Sequence, residues 1–580
     1  MDAAIKDMLD SSNPMASFAA IDLLDVPSVL ECRLLRLCAL GVISSNMVAS
    51  LAEGAVLDGL SHERVKRLAR AGASGLYPGN VRRDIFRSVR ADYLIQAPES
   101  VELYMNIGKG KVGVFHHAIL PPAAIVDALY RKSRHTFDEL VVGSAPREFW
   151  SKVRPTDPKL AALGDMLRMP NWQDYAIPYV LHGDKAQFTI KNHRSLWCLQ
   201  WKSLLGRKFG AGTCLITSVV AHTLLKEPFD AWDDLWKAIV KYLNDFYHGE
   251  YKGKRICDGY FFVCWGLSGD LEYLCNEYKI AHFNSNDPCN FCACDRGARP
   301  CSAVGPEAPW LPTVYRLDSV PLVPSEDAIW KTHGVRRFHI SLDLMHCGNS
   351  GVMSFLLASV LSELIDNSGF GGGKAQRVDA MWSLIAAAYD SLGITKSRIT
   401  CLDEAMLGKP GEYASLPTKA AENRHLLPAL LHVCRQLSKG TESELIRVAA
   451  LESLDKLYCV FEKAGMFLND SEYILAKRYL ENFSLAYNWL ANRAAEQGFL
   501  RYHLTIKLHM MFHIVDMSQY LNPRFLWCFS FEDYMGAVVQ SARACVASTA
   551  MHKIGHKIMD NMLLLLHVML ELGDMWLRQL

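Results

Sequence analysis

The stretch DPCNFC, Asp287–Cys292, sets Cys289 and Cys292 apart by two residues. That is the spacing of half a structural zinc site, which needs four ligands, usually in a tetrahedron. The missing half decides how the chain folds back. Cys294 and Cys301 lie close by, but CxxCxC crowding disfavours ligation by Cys294 together with its neighbours. Far downstream, KLHMMFHIV places His509 and His513 four residues apart on an expected helix. Residues at i and i+4 share one helical face, so both imidazoles can meet one ion. A site made of Cys289, Cys292, His509 and His513 would clip together the two ends of everything between them. Ordinary packed histidines are the competing reading. A zinc protease is disfavoured, because Met510 follows His509 where a H-E-x-x-H helix has its glutamate.

The intervening segment suits such an insertion. From Met353 to Arg493 the apolar residues recur at helical spacing over Phe355–Ile365, Val378–Tyr389, Ala420–Leu437, Glu442–Lys463 and Ser471–Arg493. Glycine-rich loops at 369–373 and 408–411 interrupt them. GFGGGK at 369–374 lacks the Ser or Thr of a phosphate loop and its second-glycine spacing, so it reads as a link. Helices are also expected at Phe529–Val539 and Ile554–Leu580.

Upstream of the cysteines the pattern becomes mixed α/β. Tyr175–His182 (YAIPYVLH) reads as a short strand ending at Gly183–Asp184, with Ala186–Ile190 as a returning strand and Arg194–Leu205 as a third. Thr217–Tyr247 reads as helix broken at Glu227–Pro228. Gly259–Gly266 (GYFFVCWG) reads as a buried strand. Residues 1–72 look helical, with Val29–Leu40 and a helix opened by Ser61 and Glu63. Lys66, Arg67, Arg70, Arg82, Arg83, Arg87 and Arg90 form the densest basic stretch. Solvated helix faces are favoured there over a patch for the DNA backbone.

Composition sets the frame. The 580 residues exceed one ordinary core. Half are apolar and the net charge is +1, so the chain is globular and not broadly basic. Seventeen cysteines in so long a chain make no compact disulfide framework. With no signal-peptide pattern and no long uninterrupted apolar run, an intracellular, reducing setting without a membrane span is expected.

Three acids stand out by position. Asp184 follows the first strand, Asp270 follows GYFFVCWG, and Glu532 lies in WCFSFEDYM just after the histidine pair. Carboxylates at strand ends and on an adjacent helix can hold two hard divalent ions for phosphoryl transfer. Taken singly, each is an ordinary surface acid.

Taken in order, these motifs resemble the DDE transposases with a helical insertion, including CACTA-type transposases and the catalytic subunit of the V(D)J recombinase. VLHGD would give the first acid, Asp184. GDLEYLCNEYKIAHFNSNDPCNFC sets Asp270 nineteen residues before Cys289, as in the recombinase. SLDLMHCGNSG resembles the D-x-x-H element, with Asp343 and His346. KLHMMFH resembles the zinc histidines, and LWCFSFEDYM the W-x-x-x-F-E block that ends in Glu532. The resemblance runs from Tyr175 to Tyr534. The histidine pair is one residue tighter than the recombinase's, so His503 or Cys294 could replace a ligand. Asp533 could displace Glu532 as third acid, and Asp343 could displace Asp270 as second.

The resemblance implies an RNase H-like mixed sheet core, interrupted by a large all-α insertion and preceded by an α-rich N-terminal region. Its divisions are 1–170, with possible DNA binding; 171–300, ending in CxxC; 301–500, the helical insertion with D-x-x-H; and 501–580, with the histidine pair and the glutamate helix. It implies Asp184, Asp270 and Glu532 as ligands of Mg²⁺ (or Mn²⁺), Zn²⁺ in the clip, and His346 near the scissile phosphate. The implied activity is cleavage and joining of double-stranded DNA at transposon ends and target, in the nucleus, by a homodimer or higher oligomer. A catalytically silent, domesticated DNA- or protein-binding descendant is the alternative. Trp197, Trp201 and Trp527 could stack on bases, with core packing as the default.

Overall fold

The computed structural model describes residues 28–90, 97–108, 111–143, 145–189, 193–207, 211–225, 231–315, 326–367, 369–409, 411–547 and 549–572. Its architecture is mixed α/β. The strands are β1 (Glu99–Gly108), β2 (Lys111–Ile119), β3 (Ala176–Gln187), β4 (Ser195–Ser203), β5 (Leu215–Ala221), a small hairpin of β6 (Glu250–Tyr251) and β7 (Lys254–Arg255), and β8 (Phe261–Ser268). Six of them form one sheet in the order β1-β2-β5-β4-β3-β8. β4 runs antiparallel to both β3 and β5, whereas β8 lies parallel to β3. A parallel return needs a long crossover, and the helix Ala231–Tyr247 supplies it. Beyond β8, Ile340 bridges Leu267 in parallel, and Ser341 N–H donates to the Leu267 carbonyl at 2.8 Å. That bridge delivers the D-x-x-H segment to the end of the sheet where β3 and β8 finish.

Three strand expectations are corrected. β3 does not turn at Gly183–Asp184 but continues to Gln187, and Arg194–Leu205 contains the return strand instead. Ile190, the end of the expected returning strand, lies outside the described residues. Gly183 looks like a turn residue, yet its role is packing. A Cβ there would lie 1.8 Å from the hydroxyl end of the Tyr273 ring, so glycine lets that ring press against the strand. The start of the expected Thr217–Tyr247 helix is strand β5. LITSVVA is buried at every position, and a strand covered on both faces shows no alternation to distinguish it from helix. The N-terminal region is not purely α-rich, because it contributes the β1–β2 hairpin.

Two hydrophobic cores result. The first joins the N-terminal helices Val29–Ala39, Ser45–Leu57, Glu63–Ala69 and Val81–Arg90, the sheet and the last helix, Met551–Leu572. Residues 28–90 therefore share the sheet's core. Much of the basic stretch is engaged in ion pairs on and beside this core: Lys66 pairs with Glu63, Arg67 with Glu31, Arg83 with Asp84 and Arg90 with Asp560. Arg82 donates to Asn561 at 2.7 Å. Trp197 and Trp201 are buried in this core as well.

The second core runs from Cys289 to Val515 and is built from helices Met353–Asn367, Lys374–Ser391, Ala420–Leu437, Glu442–Lys463, Asp470–Glu496 and Ile506–Met517. These match the expected helical run within a few residues. Met345–Asn367 is long and apolar enough to cross a membrane, but most of it is buried in this core.

The Tyr273 ring ties the helix Leu271–Glu277 onto β3. Gly183→Ala is expected to force that ring away and cost about 1–3 kcal/mol of overpacking. Urea unfolding should show a lower midpoint with an unchanged slope.

Candidate functional site

The four expected zinc ligands come together, all buried. The Cys289 Sγ lies 3.3 Å from His513 Nε2, the Cys292 Sγ 3.4 Å from His509 Nε2, and the two Nε2 atoms are 3.1 Å apart. A tetrahedron around zinc has N···N edges of about 3.3 Å and S···N edges of about 3.6 Å. The donor set and its spacing therefore fit a structural zinc ion. Helix Ile506–Met517 brings both histidines to one face, and Trp310 packs over His509 at 4.1 Å. The Phe291 N–H donates to Cys289 Sγ at 3.3 Å. Burial works against a Cys289 thiolate, but hydrogen bonding to Cys292 and the His513 charge pull its pKa well below the thiol range. His509 is raised to about 9, against its burial, by bonds to Cys289 and Cys294. Cys294 sits beside these four residues as a free thiol, hydrogen-bonded to Cys292 and Cys301. His503 is not a replacement: its ring stacks on Tyr413 at 4.0 Å and packs against Phe355.

The acidic residues gather at the sheet end. His182 pairs with Ser268 across β3 and β8, so Asp184 lies two residues further along β3 and Asp270 two residues past the end of β8. Asp270 caps helix Leu271–Glu277, its carboxylate accepting from Tyr273 N–H at 2.6 Å. Glu532 arrives on helix Phe529–Cys545. The first turn of that helix is pinned to β4, where Gln200 donates to the Phe531 carbonyl at 3.2 Å and Lys202 to Ser530 Oγ at 2.8 Å. Ligand atoms of His182, Asp184 and Glu532 all lie within 4.8 Å of one another. Asp270 is not in that trio, though its charge acts on Asp184, Glu532 and His346. It also lines a cleft of about 1290 Å³ with Lys185, His193, Trp232 and Lys279.

Asp343 and His346 complete a closed circuit. Asp343 is buried and accepts N–H bonds from Met345 (3.1 Å), His346 (2.9 Å) and Cys528 (3.0 Å), with His346 Nδ1 at 2.6 Å. His346 Nε2 then reaches Glu532 at 3.6 Å. Cys528 Sγ lies 3.5 Å from His182 Nδ1 and 3.3 Å from Ser268 Oγ. Four partners occupy the Asp343 carboxylate, so its role is to hold His346 and Cys528. His346 lies at the start of a π-helical turn, Met345–Val352, of a kind that often marks functional positions. Gly348 makes room there for the Tyr458 hydroxyl, which a Cβ would meet at 2.1 Å.

Burial, followed by the Asp184 charge, raises Glu532 to about 7. Asp184 is raised chiefly by burial, with Asp270 adding to it and the Lys185 N–H opposing. Neighbouring half-buried carboxyls resist joint ionisation unless a cation lies between them. His346 shows the opposite sign: burial disfavours its charge, but the Asp343 hydrogen bond prevails and raises it to about 9. Asp343 is lowered despite burial, by His346 and the backbone donors. Burial holds His182 down to about 3.

Apart from Asp270, which stands outside the tight trio, the expected acidic, histidine and cysteine site residues thus lie in one of two clusters. Glu532 faces the acids, while Asp533, one residue on, lines an apolar cavity with Tyr534 and Met562. His182 and Cys528 were not expected. The alternation of strand residues was the available signal, since His182 precedes Asp184 by two and shares its face.

No model of a known protein family matches the chain, and no curated protein matches it.

Two outcomes are expected. The purified protein should carry one zinc ion per chain, lost in Cys289→Ser and His513→Ala together with several kcal/mol of stability; elemental analysis and denaturation read both, and a folded, zinc-free wild type contradicts the clip. Asp343→Asn should remove the partner that keeps His346 charged, moving its titration from about 9 toward the ordinary value of about 6.5. An NMR pH titration of the ring signals checks this.

Proposed function

We propose that Asp184, Asp270 and Glu532 form the metal-holding centre of a DDE-type DNA transposase or recombinase with an RNase H-like core. One observation carries the reading. Asp184 and Glu532, far apart in sequence, bring carboxylate oxygens within 4.8 Å at the sheet end where the parallel neighbour of β3 delivers Asp270. The antiparallel run β5-β4-β3, with β8 returning parallel beside β3, supports the RNase H-like assignment.

The donor set suits hard divalent ions, Mg²⁺ or Mn²⁺. When bound, a pair of such ions activates the attacking oxygen, water or a DNA 3′-hydroxyl, and stabilises the departing one. The chain's own groups do the rest. Asp184 would hold the ions from β3 and Glu532 from the helix, with Asp270 as the third carboxylate. His346, kept protonated by Asp343, can donate to a phosphate oxygen or to the leaving group. Half-buried Trp527, edge-on to Phe529 at 5.0 Å, stands next to Cys528 and can stack on an unpaired base. Double-stranded DNA, a homodimer or larger assembly on paired ends, and a nuclear setting belong to this reading.

One observation favours the silent, DNA- or protein-binding alternative: the Asp270 carboxylate is engaged as a helix cap and stands outside the tight trio. The two readings separate in one assay. With Mg²⁺ or Mn²⁺, the protein should nick DNA bearing the element's terminal repeats. Asp184→Asn, Asp270→Ala and Glu532→Gln should each lower the rate by about a thousandfold or more, the scale of an essential electrostatic group. DNA binding without cleavage of any end sequence would favour the alternative. Cleavage that survives Asp270→Ala would remove that residue from the ligand set.

A further inference from the structure

The acidic centre contains a nitrogen donor that an all-carboxylate reading leaves unused. His182 and Asp184 alternate along β3 and face the same side of the sheet. The His182 ring is fully buried and stacks on Phe531 at 4.4 Å, nearly parallel at 6°. Phe531 immediately precedes Glu532, so this stack fixes the imidazole against the helix that brings the glutamate. On its other edge, Nδ1 lies 3.4 Å from Ser268 Oγ and 3.5 Å from Cys528 Sγ. Nε2 is buried and has no hydrogen-bond partner. A ring nitrogen of this histidine lies within 4.8 Å of carboxylate oxygens of both Asp184 and Glu532.

We infer that His182 is a metal ligand through Nε2, which makes this a mixed nitrogen–oxygen site for a first-row transition ion such as Mn²⁺ rather than a site for Mg²⁺ alone. The inference rests on the proposed metal-holding role of Asp184 and Glu532 and names the ion class they hold. Three physical points support it. A buried ring nitrogen without a partner is costly, and a cation between it and the two carboxylates removes that cost. A ligating histidine characteristically engages its second nitrogen with a neighbouring polar group, and Ser268 with Cys528 fills that place. Imidazole adds affinity for transition ions and little for Mg²⁺, which favours oxygen.

The test uses the full-length, zinc-loaded protein, so that the Cys2His2 cluster is filled, with Mn²⁺ as the probe. Electron spin-echo envelope modulation of bound Mn²⁺ should show directly coordinated ¹⁴N. That signal should vanish in His182→Leu, and the preference for Mn²⁺ over Mg²⁺ in competition titrations should fall about tenfold. Bound Mn²⁺ without nitrogen coupling in the wild type overturns the inference, and this spectrum decides even where the variant fails to fold. Coupling retained in His182→Leu overturns it too, because the nitrogen then comes from another residue. The reading beneath it fails in a different way: Mn²⁺ binding that is absent, or unaffected by Asp184→Asn and Glu532→Gln, removes the acidic centre itself.

Discussion

The convergence of four buried side chains, Cys289, Cys292, His509 and His513, closes a loop of more than two hundred residues. Cys289 meets His513 and Cys292 meets His509 across sequence separations of 224 and 217. Closing so long a loop costs chain entropy, but that cost grows only slowly with length. The helical segment can therefore be large while its two ends stay fixed. The chain just beyond the second end is held as well. Helix Ile506–Met517 leads within a few residues to Cys528 and the start of the glutamate helix. The glutamate helix is then pinned separately to β4 by Gln200 and Lys202.

A second tie joins the two cores. Asp343 belongs to the segment that leaves the sheet through the Ile340 bridge, yet one of its oxygens accepts the Cys528 amide from the far end of the chain. The circuit runs Asp343, His346, Glu532, Asp184, His182, Cys528 and back to Asp343. Hydrogen bonds orient Asp343, His346 and Cys528, while Asp184 and Glu532 are placed by the strand and the helix that carry them. The electrostatics follow the same path: its donors favour the Asp343 anion, Asp343 favours the His346 cation, and partial burial raises Asp184 and Glu532.

Much of this was legible in the residues. Amphipathic spacing located the helical insertion, because 3.6-residue periodicity is strong over long segments. The i,i+4 histidines and the CxxC pair were readable because metal chemistry restricts spacing. Strands were harder. β5 lacks alternation because both its faces are covered, and Gly183 mimics a turn while serving as the floor for Tyr273. The β1–β2 hairpin carried an alternation, Val101, Leu103 and Met105, that an expectation of helix obscured. His182 needed β3 to run unbroken past Asp184 before it could be seen to share that residue's face. Asp343 looked the most motif-like of the acids, and only its four donors distinguish a positioning carboxylate from one with free lone pairs.

The π-helical turn at Met345–Val352 has a consequence for how this chain can vary. A π turn holds one more residue than the α turn it replaces, and helix Met353–Asn367 continues directly from it. Deleting that extra residue would give the downstream helix commoner bonding but would shift Gly348 from its place beneath the Tyr458 hydroxyl. It would also rotate the imidazole away from its carboxylate partner and break the circuit. Length changes are cheap in the glycine-rich links on the rim, whereas here a single codon of indel separates an aligned centre from a misaligned one.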